Sequence, residues 1–176
     1  MSTIIYPTTN LNQIEQLRIC RGDGIYVYDE DGKCYLEGLS GLWCASLGYA
    51  NEELIDAITQ QLRTLSYSQL FGGRTHQRAI DLADELASMV PLDDARIFFA
   101  NSGSEANDSH VKMLRYYFNV IGKPQKKKII AFEKSYHGVT VASASLTGLP
   151  AMHAHFDLPT KALGAYQMSG PKSNFS

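Results

Sequence analysis

The segment that most constrains the fold runs from Ala95 to Ile121. Ile97-Phe98-Phe99 form a short apolar run, typical of a strand buried on both faces. A Ser/Gly turn follows, and Ser102 then begins a long helix with apolar residues at helical spacing. These apolar residues are Val111, Leu114, Phe118 and Ile121. A second apolar run, Lys128 to Phe132, comes after that helix. Strand, helix and strand in this order predict a parallel sheet with helices packed against it, an α/β fold.

The residues before this segment predict a different architecture. Residues Gly24 to Leu39 form a β-meander pattern, with a turn at Asp29-Glu30-Asp31-Gly32. Asn51 is the predicted N-cap of an amphipathic helix, and a second helix is expected from about Thr75 to Met89. A small β-containing lobe therefore precedes the α/β part.

Composition excludes several classes of function. The chain has 176 residues, 16 Lys and Arg against 18 Asp and Glu, and a formal net charge of −2. This balance gives no reason to expect a nucleic-acid partner. The three cysteines lack CxxC spacing, which favours neither a metal site nor a disulfide scaffold. Because disulfides are typical of oxidising compartments, we expect a reducing, cytoplasmic location. No apolar run reaches the roughly 20 residues that span a bilayer, so no membrane association is predicted.

The turn after the first apolar run carries the main chemical signal. Free N–H groups at Gly103, Ser104 and Glu105, with the Ser104 hydroxyl and the helix dipole, would together bind a phosphate. The same residues allow a simpler interpretation, because Ser102 and Glu105 have the spacing of a capping box, which many helices use without a ligand. The residues alone leave both interpretations open.

Two further stretches are candidates for ligand contact. Tyr136-His137-Gly138 follow the second apolar run, and loops after parallel strands meet at the same edge of the sheet. The tyrosine ring could stack on a flat cofactor, or pack within its own loop. Gly41-Leu42-Trp43-Cys44 include the only tryptophan, which could cover the core or form the wall of a substrate pocket.

Together these stretches resemble the class III aminotransferases, which are pyridoxal-phosphate enzymes of fold type I. The similarity covers roughly Gly22 to Asp157 and is strongest to the ω-amino acid:pyruvate and amine transaminases. It depends on four motifs in order along the chain. They are Asp29-Glu30-Asp31-Gly32-Lys33-Cys34-Tyr35-Leu36-Glu37-Gly38, Gly41-Leu42-Trp43-Cys44, Asn101-Ser102-Gly103-Ser104-Glu105-Ala106-Asn107 and Ser135-Tyr136-His137-Gly138.

The resemblance implies roles for individual residues. Gly103 and Ser104 correspond to ligands of the phosphate of pyridoxal 5′-phosphate, and Ser102 shapes their turn. Tyr136 corresponds to the ring that stacks on the pyridine, and His137 supports its loop. The residues that correspond to the substrate pocket are Leu42, Trp43 and, across a dimer interface, Phe71. The implied reaction moves an amino group from an ω-amino acid or amine to a keto acid such as pyruvate.

The resemblance also implies that the chain is the N-terminal part of a longer enzyme. We expect the lysine that forms the Schiff base with the cofactor to lie past residue 176, so that no catalytic lysine is present. Residues 1–66 are predicted to begin the small domain, and 67–158 to begin an incomplete three-layer cofactor-binding domain. Residues 159–176 are predicted to be a disordered or divergent tail. The full-length form is expected to be a homodimer; the alternative is a non-catalytic product that at most binds the cofactor or pairs with a full-length subunit.

Overall fold

The structure is a computed structural model that describes residues 3–10, 12–160 and 163–169. The chain divides into two compact units, Met1–Ile80 and Asp81–Ser176. The domain boundary predicted between residues 66 and 67 stays a prediction. A small antiparallel sheet and a parallel sheet are both present, as the sequence predicted for the fold class.

The first unit contains a three-stranded antiparallel sheet in the order β1 (Ile19–Asp23), β2 (Tyr26–Asp29) and β3 (Cys34–Leu36). The β2–β3 turn is the predicted one, since Gly32 has a φ of +78° and its N–H donates to the Asp29 carbonyl at 3.1 Å. The sequence did not predict β1, because this strand contains Arg, Gly and Asp rather than alternating apolar residues.

Three helical elements follow the sheet. The single turn α1 spans Ser40–Trp43, α2 spans Glu52–Thr64 and α3 spans Gln77–Met89. Asn51 is the N-cap of α2 as predicted, because its Oδ1 accepts from the Leu54 N–H at 3.0 Å.

The second unit is built around two neighbouring parallel strands. Helix α4 spans Gly103–Val120 and precedes strand β4 (Ile129–Phe132). A short helix α5 (Val141–Leu146) and a 3₁₀ turn (Pro150–Met152) lead to strand β5 (Ala165–Met168). Strands β4 and β5 pair in parallel, with Ile129 opposite Ala165 and Phe132 opposite Met168.

The parallel pair is not the one that the sequence predicted. Residues 95–100, predicted as a buried strand, belong to neither a helix nor a strand. A strand exists only when a neighbour supplies hydrogen bonds, and the part of the chain that the structure describes supplies none to this apolar run. The prediction of a strand at 95–100 is therefore wrong for this structure.

Strand β4 is buried on one face only. Ala131 is buried, but Ile130 and Phe132 on the opposite face are 66% and 51% exposed. The reason is that the small core lies on one side of the sheet only. That core consists of Val111 from α4 with Ala131, Leu146 and Leu163.

One strand lies within the segment predicted to be a disordered or divergent tail, residues 159–176. Residues 165–168 of this segment form β5. Its residues, Ala-Tyr-Gln-Met, show no strand pattern, and the strand is held by the backbone of the β4 segment. The Ile129 N–H donates to the Gly164 carbonyl at 3.1 Å and the Glu133 N–H to the Met168 carbonyl at 3.0 Å. Residues 161–162 and 170–176 of the predicted tail lie outside the described residues.

None of the helices in the described ranges is long and apolar enough to cross a membrane.

Candidate functional site

The N-terminus of α4 is capped by its own turn. Ser102 is extended, and its Oγ accepts from the Glu105 N–H at 3.1 Å. The Glu105 carboxylate in turn accepts from the Asn101 N–H at 2.9 Å. The reciprocal bonds of a capping box are therefore present, with Asn101 in the place usually taken by the N-cap residue itself.

Capping leaves two N–H groups of this turn available. The N–H groups of Gly103 and Ser104 have no hydrogen-bond partner within the described ranges. Gly103 is exposed and Ser104 is half-buried, and the space around Gly103 is open. Two unpaired N–H groups at the start of an 18-residue helix form a site where an anion is favoured. The capping interpretation and the phosphate interpretation are thus compatible, because they use different N–H groups.

The loop after β4 meets this helix N-terminus. The Val139 N–H donates to the Ser104 Oγ at 3.1 Å. Because Ser104 accepts in this bond, its own hydroxyl proton stays available for an anion. The sequence predicted that the two loops lie close together because each would follow a parallel strand. In the structure the loop after β4 is instead held to α4 by direct hydrogen bonds.

His137 holds the same loop from the other side. Its carbonyl accepts from Asn107 Nδ2 at 2.7 Å, and its N–H donates to the Thr147 Oγ1 at 2.9 Å. Its ring Nε2 lies 3.1 Å from the Ser135 Oγ. These contacts agree with a supporting role for His137; its predicted part in cofactor binding stays a prediction.

Gly138 is required where the loop approaches α4. Its φ is +129°, and a Cβ added there would lie 2.5 Å from both the Ser104 Oγ and the Ser143 Oγ. Neither oxygen can move away without losing its own hydrogen bond. Only glycine therefore fits between the two serines.

Tyr136 directly precedes these anchored residues. Its side chain is 57% exposed, so its ring is free to lie against a flat ligand. The structure brings its loop to the start of α4; the stacking role itself stays a prediction.

The predicted substrate-pocket residues lie in the first unit. Leu42, Trp43 and Phe71 are 66%, 77% and 83% exposed. Leu42 and Trp43 lie in α1, where the four residues from Ser40 to Trp43 have φ between +50° and +69°. A left-handed turn made mostly of residues other than glycine is strained, and such strain concentrates at functional sites.

Sequence reasoning missed the side chains that fix the Tyr136 loop. Asp108 Oδ1 accepts from the Thr140 hydroxyl at 2.8 Å and from the Ser143 N–H at 2.9 Å. Thr147, fully buried, donates its hydroxyl to the Gly138 carbonyl at 3.1 Å. None of the four sequence motifs includes Asp108 or Thr147. Asp108 directly follows the Asn101–Asn107 motif, and this position could have indicated that it belongs to the same site.

The comparisons with known proteins identify the class of protein. The family model described as aminotransferase class-III matches residues 8–172, and the chain belongs to this family. Members of the family are pyridoxal-phosphate enzymes of fold type I. The fit of the phosphate to this chain is supported by its own residues, since Gly103 and Ser104 offer two unpaired N–H groups and a hydroxyl at a helix N-terminus.

Several particular relatives are similar to this chain. "Gamma-aminobutyrate transaminase 1, mitochondrial" of Oryza sativa subsp. japonica is 53% identical over 83% of the chain and 28% of that protein. "Vanillin aminotransferase" of Capsicum chinense is 52% identical over 84% of the chain and 32% of that protein. The chain thus spans about a third of the length of these relatives.

Solved structures give the same result. An omega transaminase from Pseudomonas jessenii in complex with PMP superposes with a TM-score of 0.88 at 48% identity, over 94% of this chain and 37% of that one. A PMP-bound aminotransferase from Vibrio fluvialis superposes with a TM-score of 0.90 at 38% identity, over 96% and 37%. These likenesses confirm the predicted fold class, the N-terminal part of a fold type I transaminase.

Proposed function

We propose that this chain forms the phosphate site, the stacking ring and part of the substrate wall of a transaminase. The enzyme would move an amino group from an ω-amino acid or amine to a keto acid such as pyruvate. One observation carries the proposal: the unpaired N–H groups of Gly103 and Ser104 lie beside the anchored Tyr136 loop. Membership in the family and relatives that are named as transaminases support it.

Each group of residues has a distinct task in this proposal. Pyridoxal phosphate, when bound, supplies the electron sink for the reaction. Gly103 and Ser104 bind its phosphate and so fix the distance of the pyridine ring from the N-terminus of α4. Tyr136 orients the ring from one face, and His137 keeps Tyr136 in place through its backbone bonds. Leu42, Trp43 and Phe71 provide an apolar wall that excludes water from the amine.

The reactive amine of the complete enzyme is expected to come from outside these 176 residues. Lys112 follows Ser104 by eight positions on α4, which places its backbone about 12 Å along the helix from the phosphate site. Lys127 donates to the Asn119 Oδ1 at 2.6 Å, at the other end of the helix. We propose that the 176-residue chain by itself binds the cofactor without turning over amines.

A homodimer of the full-length form is part of the proposal, as is a cytoplasmic location. The second candidate is a non-catalytic chain that binds the cofactor or pairs with a full-length subunit. The exposed outer face of β4, with Ile130 and Phe132, favours coverage of this face by further protein. Activity measurements separate the two candidates, because only the first gives turnover once the remainder of the enzyme is present.

The phosphate site is tested by removing a single N–H group. Gly103→Pro removes one donor at the first position of α4, where proline suits a helix and the preceding Ser102 is already extended. Inorganic phosphate and pyridoxal phosphate are titrated by phosphorus NMR, in which line broadening of the ligand signal detects weak binding. We expect Gly103→Pro to weaken both ligands about tenfold, as for the loss of one bond to a charged group.

Gly103→Ala is the matched control, because it keeps the N–H and its Cβ meets nothing within 4 Å. Equal affinities in Gly103→Pro and the unaltered chain would refute the phosphate site.

A second experiment tests whether a lysine of this chain reacts with the cofactor. The chain is treated with pyridoxal phosphate and borohydride, and its peptides are analysed by mass spectrometry. Stoichiometric labelling of one lysine, with alanine formed from pyruvate, would show that the reactive amine is in this chain.

A further inference from the structure

Asp108 lies where it connects three separate parts of the second unit. It belongs to the second turn of α4, five residues after the Gly103 N–H group. Its Oδ1 accepts from the Thr140 hydroxyl at 2.8 Å and from the Ser143 N–H at 2.9 Å. One oxygen of one side chain therefore joins the phosphate helix, the end of the Tyr136 loop and the start of α5.

The Ser143 N–H lies in the first turn of the six-residue helix α5, where the N–H groups have no backbone partner within the helix. Thr140 and Ser143 form a capping box at this end of α5, and Asp108 Oδ1 is a second acceptor for the same N–H at 2.9 Å. Ser143 is fully buried, so water does not replace the Asp108 carboxylate when it is removed. Asp108 thus caps α5 from another helix and fixes α5 against α4.

The remaining bonds of the loop form a row along the same helix. Ser104 accepts from the Val139 N–H, and Asn107 donates to the His137 carbonyl. Asp108 adds the third attachment, at Thr140. Three anchors within one and a half turns of α4 hold residues 137–140, and Tyr136 directly precedes these residues in the chain.

We propose that Asp108 is a positioning residue, which sets the Tyr136 ring over the cofactor by holding the 137–140 loop and α5 against the phosphate helix. This inference rests on the proposed function, since it assumes that Tyr136 stacks on a ring whose phosphate is held by Gly103 and Ser104. In this proposal Asp108 acts through its hydrogen bonds to Thr140 and Ser143 and not by contact with the cofactor. Its loss leaves the phosphate donors in place and displaces the ring.

Two ligands separate ring positioning from phosphate binding. Inorganic phosphate reports the Gly103–Ser104 site alone, whereas 4′-deoxypyridoxine 5′-phosphate adds a flat ring that forms no bond with lysine. We expect Asp108→Ala to weaken the ring ligand about fivefold, within the range of one aromatic stacking contact. Its affinity for inorganic phosphate should change less than about twofold, since no donor to phosphate is removed.

The matched variants distinguish positioning from general destabilisation. Asp108→Asn keeps an Oδ1 that accepts both bonds and should restore most of the ring affinity. Asp84→Ala, which removes an exposed carboxylate from α3, should change neither affinity. Asp108→Ala combined with Tyr136→Leu should bind the ring ligand no more weakly than Tyr136→Leu alone, because the two residues act through the same contact.

Three outcomes overturn the inference. Equal weakening of both ligands in Asp108→Ala would indicate a structural role only, and additive losses in the double variant would place Asp108 outside the Tyr136 contact. Hydrogen exchange provides a test without ligand: Asp108→Ala should speed exchange at the amides of Val139, Thr140 and Ser143, and unchanged rates would also overturn it. Failure of the unaltered chain to bind inorganic phosphate would instead refute the proposed function.

Discussion

The Ser104 hydroxyl accepts a hydrogen bond from the Val139 N–H, 35 residues away in the chain, at 3.1 Å. This bond joins the start of α4 to the loop after β4, the two segments that the sequence selected as cofactor contacts. Because the hydroxyl uses an acceptor orbital for Val139, its proton remains for a phosphate oxygen. Ser104 thus connects the loop and the ligand with one side-chain atom.

Ser104→Ala should therefore weaken phosphate binding with little loss of stability. We expect about a tenfold lower affinity for inorganic phosphate, since hydrogen bonds to charged groups are worth about 1.5–3 kcal/mol. Val139 is exposed, so water can replace the lost acceptor and the free energy of unfolding should fall by less than about 1 kcal/mol. Phosphate titration and urea unfolding measure the two effects. Ser88→Ala on α3 is the control; equal phosphate affinity in both variants would contradict the prediction.

Gly138→Ala should be among the most damaging single changes in the second unit. The added Cβ would meet the oxygens of Ser104 and Ser143 at 2.5 Å, at a φ of +129° that only glycine adopts readily. We expect the free energy of unfolding to fall by about 3 kcal/mol, with faster exchange of the Val139 amide.

Gly122→Ala is the matched control for backbone strain. Gly122 also has a positive φ, +71°, but nothing lies within 4 Å of its added Cβ. The free energy of unfolding should fall by about 1 kcal/mol in Gly122→Ala, because this variant has the backbone strain of a positive φ but no steric clash of the added Cβ. Urea unfolding of both variants compares them directly. Similar losses at both positions would show that the approach of Gly138 to the two serines is unimportant.

The sequence predicted the features that depend on local chemistry. The Asn51 cap and the Gly32 turn were readable because each needs only a few neighbouring residues. The start of α4 was readable for the same reason, since Ser102 and Glu105 satisfy bonds within one turn. Cofactor chemistry followed only when these local signals were combined into an ordered set of motifs.

The features that sequence reasoning failed to predict depend on contacts between residues far apart in the chain. Strand β5 exists because β4 offers it a row of backbone groups, and its own residues carry no strand pattern. The apolar run at 95–100 fails in the opposite way, since its pattern is strong and the described chain offers no pairing partner. The contacts of Asp108 with Thr140 and Ser143 span more than 30 residues, and such side-chain bonds leave no periodic signal.

The β2–β3 turn gives a pH-dependent prediction. The Tyr35 hydroxyl donates to Asp29 at 2.7 Å and, with the backbone N–H groups of Lys33 and Asp31, holds the pKa of Asp29 below its usual range. A lowered pKa in the folded state means that the stabilisation is present above about pH 4 and is lost as the pH falls through the folded value. The same bond raises the pKa of Tyr35, so its contribution is complete below about pH 10 and is lost as the pH rises further.

Tyr35→Phe should remove the largest part of this dependence. The difference in urea midpoint between the unaltered chain and Tyr35→Phe should be present at pH 7 and should shrink towards pH 3. Tyr26→Phe, on the neighbouring strand β2, is the control and should give a pH profile parallel to that of the unaltered chain. A difference that stays constant from pH 7 to pH 3 would indicate lost packing of the Tyr35 ring rather than a lost bond to Asp29.

The strained turn α1 gives a prediction about the substrate wall. Trp43 has a φ of +69° and its side chain is 77% exposed, so the turn holds it in an unfavourable conformation with little burial in return. Trp43→Gly and Trp43→Ala both remove the ring, but only glycine relieves the backbone. Trp43→Gly should therefore be more stable than Trp43→Ala by about 1 kcal/mol, less the greater freedom of glycine in the unfolded chain. Thermal and urea unfolding of the two variants measure this difference in stability. Any contact between the indole and an apolar amine should be lost equally in both variants, because both lack the ring. If Trp43→Ala proved more stable than Trp43→Gly by the ordinary cost of glycine, roughly 0.5–1 kcal/mol, the left-handed turn would not be strained, and the exposed indole would need another explanation.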